Sequence, residues 1–108
     1  MNPETRIAAR HVFEARILIR LYRNGRDSAV SGWARDLSES GLGAFVAEEL
    51  EVGESVVLLV PLSPPEMEQI AARVARQIGT QYGFQFTALS SKQRIAIQMA
   101  VRGKAVVQ

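Results

Sequence analysis

The sequence predicts a mainly β protein: a small antiparallel barrel of six short strands, plugged or flanked by one C-terminal helix. Three observations carry that reading. Apolar and polar residues alternate over several short stretches, most clearly at Tyr82, Phe84 and Phe86. Gly, Asn and Pro punctuate those stretches at short intervals. The last apolar stretch is bounded as a helix is, with Ser90 or Ser91 before it as N-cap and Gly103 after it. The chain's 108 residues suit one domain, which at this length buries roughly 60–70% of its unfolded surface and needs no disulfide or metal support.

Residues 1–11 are polar, contain Pro3 and read as an arm ahead of the barrel, which occupies 12–108. Val12–Tyr22 is apolar with Arg16 and Arg20 on one face, a first strand. The stretch 23–28 holds Asn24-Gly25, the strongest short hairpin signal, and leads into a second strand over Ala29–Arg35 that includes Trp33. Residues 42–47 make a third strand and 48–54 a turn. The continuous run Ser55–Val60 suits a strand buried on both sides. Pro61, Pro64 and Pro65 then break the sheet. Residues 66–78 have the Glu, Gln and Ala content of a helix, but Ile70, Ala72, Val74 and Arg76 stand at strand spacing, which favours a strand from about residue 70. Thr80–Phe86 is the clearest strand. The tail alternates like a strand and also satisfies helical i, i+4 spacing, and its capping residues favour a helix over about 91–102.

Composition excludes most catalytic chemistry. The chain has no cysteine and one histidine, His11, so no thiol nucleophile, thiolate site or His-rich metal cluster is available. No P-loop, paired carboxylates or nucleophile with a base is found, and no catalytic residue, metal or cofactor is assigned. No stretch approaches the roughly 18–20 apolar residues of a membrane span, and the N-terminus lacks the apolar core of a signal peptide, so a cytoplasmic location is expected. The net charge of +2 conceals strong segregation: seven Arg against three acids over 1–35, eight acids and no base over 36–72, and six bases without an acid from 73 onward. Eleven of the 13 basic residues are Arg, whose planar fork pairs with phosphate and stacks on π-faces. An anionic, planar partner fits this balance, although interleaved surface ion pairs would also absorb it.

Two motifs stand where elements join: Arg6-x-x-x-Arg10 in the arm and Asp36-x-Ser38-x-x-Gly41 after the second strand. The first carries little weight alone, since Arg16 and Arg20 repeat the spacing. The second is more specific, although Asp36 and Ser38 could equally form an Asx or ST turn.

In these motifs, their order and their separation, the chain resembles the PilZ family of bacterial cyclic-di-GMP receptors. Gly32 ahead of Trp33–Ser38, the turn at 51–54, Ala72–Arg76 and Gly83–Phe86 also fall in that family's order. The resemblance implies a six-stranded, Greek-key-like barrel with a C-terminal helix, and it favours strand at 70–78 and helix at 91–102. It implies cyclic-di-GMP binding by Arg6, Arg10, Asp36, Ser38 and Gly41, with Arg76 at the ligand's edge and Thr5, Ala9, His11 and Gly43 beside these positions.

The side chains suit that ligand. Guanine offers O6 and N7 to a guanidinium fork and a ring face for stacking. Its N1–H and N2–H₂ donors need acceptors, which Asp36 and Ser38 would supply from one strand face at i, i+2 spacing. Gly41 would permit close backbone approach or a positive φ, and His11 could reach a phosphate. Arg16 and Arg20 read as a solvated strand face and Trp33 as packed on the sheet. The expected role is a non-enzymatic effector whose ligand-ordered arm is read by a downstream protein in motility, biofilm or exopolysaccharide control. A ligand-independent adaptor in pilus or motility machinery is the alternative. A nucleic-acid-binding barrel is disfavoured by an aromatic content of 6%, with Tyr82, Phe84 and Phe86 on what reads as a core face.

Overall fold

A computed structural model describes residues 9–107. Six antiparallel strands, β1 (His11–Arg23), β2 (Arg26–Leu37), β3 (Gly41–Val46), β4 (Ser55–Ser63), β5 (Glu66–Ile78) and β6 (Gln81–Ala88), close into a barrel in the order β1-β2-β3-β6-β5-β4. One helix follows, α1 (Ser91–Ala100). The expected barrel with a C-terminal helix is therefore the observed architecture. Thr5, Arg6 and the rest of the arm before Ala9 lie outside the described residues.

Alternation builds the interior. Ile17, Ile19 and Leu21 of β1 point inward between Arg16, Leu18, Arg20 and Tyr22, and meet Leu58, Val60, Ile70, Val74 and Phe84 from the facing strands. Tyr82 is buried and its hydroxyl accepts from the Leu50 amide at 3.0 Å, which satisfies the one polar atom of that aromatic side chain. α1 caps the barrel end where β1 starts and β4 ends, and inserts Ile97 into the core. Its start is a reciprocal capping box: the Gln93 amide donates to Ser90 Oγ at 3.0 Å, and the Ser90 amide to Gln93 Oε1 at 3.1 Å. Among the described residues no helix is long and apolar enough to cross a membrane.

β3, β6 and α1 differ from the sequence reading by one or two residues at their ends, and the larger differences have a reason in pairing. The β1–β2 turn uses only Asn24 and Gly25, at φ 52° and 74°, so pairing runs up to Arg23↔Arg26 and both strands are longer than expected. Pro61 lies inside β4. It is tolerated there because the β1 ladder ends at Leu59 and the β5 register is irregular between Val60 and Ser63, so no regular rung needs its missing N–H. Pro64 and Pro65 form only the turn to β5, which starts at Glu66 rather than near residue 70. β4 is also not buried on both sides: Val56, Leu58, Val60 and Leu62 face inward, whereas Val57, Leu59 and Pro61 are half-covered.

Two tethers hold the chain beyond the ladders. The tail after α1 returns to the root of the arm: the Val12 amide donates to Ala105 O at 2.8 Å and the Val107 amide to Arg10 O at 2.7 Å, with His11 opposite Val106. At the other end of β1, Arg23 Nε and Nη2 donate to Glu54 Oε2 and Oε1 at 3.0 and 2.9 Å. The Arg23 hydrogen bonds hold the Glu54 carboxyl below its ordinary range against the opposing effect of burial, and the same bonds raise Arg23. A carboxyl lowered in the folded state contributes stability that is whole above its unfolded value of 4.5 and fades as pH falls through the lower folded value. Glu54→Gln is thus expected to lower the melting temperature slightly near neutrality and to narrow its gap to the wild type as the pH drops below 4.5, measured by thermal melts across an acid pH series.

Candidate functional site

The Asp36 region becomes a site through one row of residues that runs across four strands. Pairing sets Asp36 of β2 against Gly43 of β3, Gly43 against Gly83 of β6, and Gly83 against Arg76 of β5. Both ends of the row lie at β-bulges. The register shifts between Ala34 and Asp36 on β2 and between Val74 and Arg76 on β5, so Arg35 and Asp36 both face outward, as do Ala75 and Arg76, where simple alternation would turn one of each pair inward.

The glycines are the floor. A Cβ on Gly43 would stand 2.8 and 2.9 Å from the Asp36 carboxylate oxygens, and one on Gly83 would stand 3.0 Å from Arg76 Cγ and Nε. The carboxylate and the guanidinium stem therefore lie flat over bare backbone. Two contiguous troughs follow the row, of about 270 and 350 Å³. They share Arg10, Arg76 and Gly83; Arg35, Asp36 and Gly43 line the first, and Ser38 and Gly41 the second.

Arg10 reaches over from the root of the arm. Its Nε and Nη2 both donate to Asp36 Oδ1, at 3.1 and 2.9 Å. The Asp36 side chain is 15% exposed and the Arg10 side chain 39%, so the pair sits at the trough's edge with the guanidinium half in water.

Ser38 does something other than share Asp36's strand face. It lies past the end of β2, is 3% exposed, and its Oγ accepts from the Ser40 and Gly41 amides at 3.1 and 3.2 Å. The Ser38 amide donates to Gly41 O at 2.9 Å, closing the same turn. The turn alternative is thus the one Ser38 adopts. Gly41 serves close approach rather than a positive φ: an added Cβ would collide with Phe84 O on β6. His11 and Ala9 stand away from the row, in a small cavity of about 200 Å³ with Ser38, Glu39, Ile97 and Gln98. Glu39, inside the motif, accepts from Gln98 Nε2 of α1 at 2.9 Å. Arg16 and Arg20 are exposed, as expected, and Trp33 stands on the outer face of the barrel, 44% exposed and outside the row.

The sequence reading passed over Arg35 and gave Gly83 no role in the site. A glycine at an outward position of the most regular strand is the usual mark of close approach. Arg35 left no such mark, because its direction depends on a bulge.

A family model described as PilZ domain matches residues 4–103. The chain belongs to the PilZ domain family. Solved PilZ structures share its fold at low identity. The PilZ domain of CeSA from a cellulose-synthesizing bacterium is 20% identical, with a TM-score of 0.65, over 87% of this chain and 95% of that one. The PilZ domain of Escherichia coli YcgR, solved with c-di-GMP, is 15% identical, with a TM-score of 0.70, over 91% and 89%. The Bacillus subtilis inhibitor of motility MotI is 16% identical, with a TM-score of 0.67, over 94% of this chain and 56% of that one. No curated protein sequence is similar enough to match this PilZ domain.

Proposed function

We propose that this PilZ domain is a cyclic-di-GMP receptor that acts as a non-enzymatic effector. The observation that carries the reading is the meeting of the two motifs: Arg10 and Asp36, 26 residues apart, join at one end of a glycine-floored row whose other end is Arg76. The E. coli YcgR PilZ domain, of the same fold, was solved with this nucleotide.

Asp36 accepts from the N1–H and N2–H₂ edge of a guanine lying along the row, and Arg10 turns its guanidinium to the ligand's phosphate or to O6 and N7. Arg6 joins from the arm, and Thr5 flanks it. Arg76 meets the ligand's edge. Ser38 contributes by holding the turn that aims Asp36, with Gly41 letting that turn seat on β6. Closure of the arm changes the surface around Arg10, which a downstream protein in motility, biofilm or exopolysaccharide control reads in the cytoplasm. The ligand shifts that surface only by its differential affinity for the closed arm.

Calorimetric titration of cyclic-di-GMP, beside GMP and cyclic-di-AMP, tests the proposal. Binding with a Kd of about 10 μM or tighter, selective for the guanine dinucleotide, is the expected result, and the titration also counts the ligands per site. Absence of heat and of a thermal shift at about 1 mM ligand would overturn the reading.

A further inference from the structure

Arg35 belongs to neither motif, yet it lines the first trough together with Arg10, Asp36 and Arg76. Its guanidinium carbon lies 4.7 Å from the centroid of the Phe45 ring, within the distance of a cation–π contact. Among the described residues it forms no ion pair. The contrast with Arg23 is informative, because Arg23 is held by both oxygens of a carboxylate and spends its Nε and Nη2 donors on Glu54 and on Glu49 O. Arg35 lies over a ring instead, and no side-chain hydrogen bond or ion pair among the described residues takes up its five N–H donors.

The bulge explains the placement. Arg35 is the residue of β2 without a partner on β3, between Ala34↔Ala44 and Asp36↔Gly43. Phe45 pairs with Trp33, one outward step away. The ring therefore backs the guanidinium from beside the trough, since Phe45 is not among the residues that line it. The side of the guanidinium away from the ring is open to whatever occupies the trough. Across the Gly43 and Gly83 floor stands Arg76, a second guanidinium at a second bulge.

Resting on the cyclic-di-GMP reading above, we propose that Arg35, carried on Phe45, is a stacking platform of this site and takes one face of a purine base as the base lies over the glycine floor. The platform deepens the specificity of the site. A planar guanidinium sandwiched between two π-faces is a contact that a lysine cannot make. A ligand lacking a planar base gains nothing from it.

Titration of cyclic-di-GMP into Arg35→Lys, Phe45→Leu, Phe45→Trp and Arg35→Lys/Phe45→Leu tests this, with thermal melts confirming that each variant is folded and ultraviolet hypochromism of the bound guanines reporting stacking. Arg35→Lys is expected to weaken binding about 5- to 20-fold and Phe45→Leu about 3- to 10-fold, with reduced hypochromism in both. Phe45→Trp keeps the platform and binds as the wild type does. The double variant is no worse than Arg35→Lys, because ring and guanidinium act as one unit. Binding of Arg35→Lys at wild-type strength with full hypochromism would overturn the platform, as would strictly additive losses in the double variant. Should Asp36→Ala abolish binding while all Arg35 and Phe45 variants bind normally, the platform fails and the receptor reading stands. Absence of wild-type binding removes both.

Discussion

Asp36→Ala is expected to weaken cyclic-di-GMP binding by two decades or more while leaving the barrel folded. Among the described residues Asp36 offers the only carboxylate oxygens in the troughs, so its loss leaves two guanine donors without that acceptor inside a site lined by Arg10, Arg35 and Arg76. Each charge-assisted bond contributes about 1.5–3 kcal/mol, and two such bonds account for the size of the effect. Stability changes little, because the Arg10 side chain is 39% exposed and a pair screened to that extent contributes about 0–1 kcal/mol. Arg10→Ala should lose one to two decades. The double variant should fall short of the sum, since each residue orients the other before ligand arrives. Calorimetry paired with thermal melts measures both quantities, and an Asp36→Ala variant that binds within about threefold of the wild type would contradict the assignment.

Gly41→Ala and Gly43→Ala, two residues apart on β3, are expected to fail in different ways. At Gly41 the added Cβ collides with backbone, Phe84 O, and β3 and β6 must part for it to fit. Overpacking against backbone costs about 2–3 kcal/mol or more, equivalent to a melting temperature lower by roughly 10–20 °C in a domain of this size. At Gly43 the Cβ meets only the end of the Asp36 side chain, at 2.8 and 2.9 Å. The carboxylate can swing aside, so the barrel melts near the wild-type temperature while the aim of Asp36 is lost and affinity falls about tenfold. A Gly43→Ala variant that binds normally, or a Gly41→Ala variant that melts normally, would show that the row is looser than these contacts imply.

How much of this was legible in the sequence divides along a physical line. Whatever is decided within a few residues could be read: the Asn24-Gly25 turn, the alternation through Tyr82 and Phe84, the helix start at Ser90 or Ser91, and the spacing of Asp36, Ser38 and Gly41. What depends on a partner strand could not. Pro61 looks like a breaker until the ladders on either side of it are seen to end or turn irregular. Ser38 stands at i, i+2 from Asp36, but β2 ends at Leu37, so the alternation that would have put both on one face has stopped. Arg35 joins the site only because β3 skips it. The floor itself is a register of four strands, and no local pattern encodes that Gly43 will meet Gly83.

The return of Ala105–Val107 to pair with Arg10–Val12 gives the domain the layout of a plug-in module. Backbone enters and leaves the barrel side by side, at the residue that clamps Asp36. Anything spliced to either flank is thereby wired to the same spot. Whether a neighbouring domain precedes or follows, its linker is moored to the segment that carries Arg10, and a pull on one flank is felt by the other through two hydrogen bonds. Nature and the engineer inherit the same socket: reporters attached at the two flanks would be anchored beside Arg10, with no need to reach into the barrel.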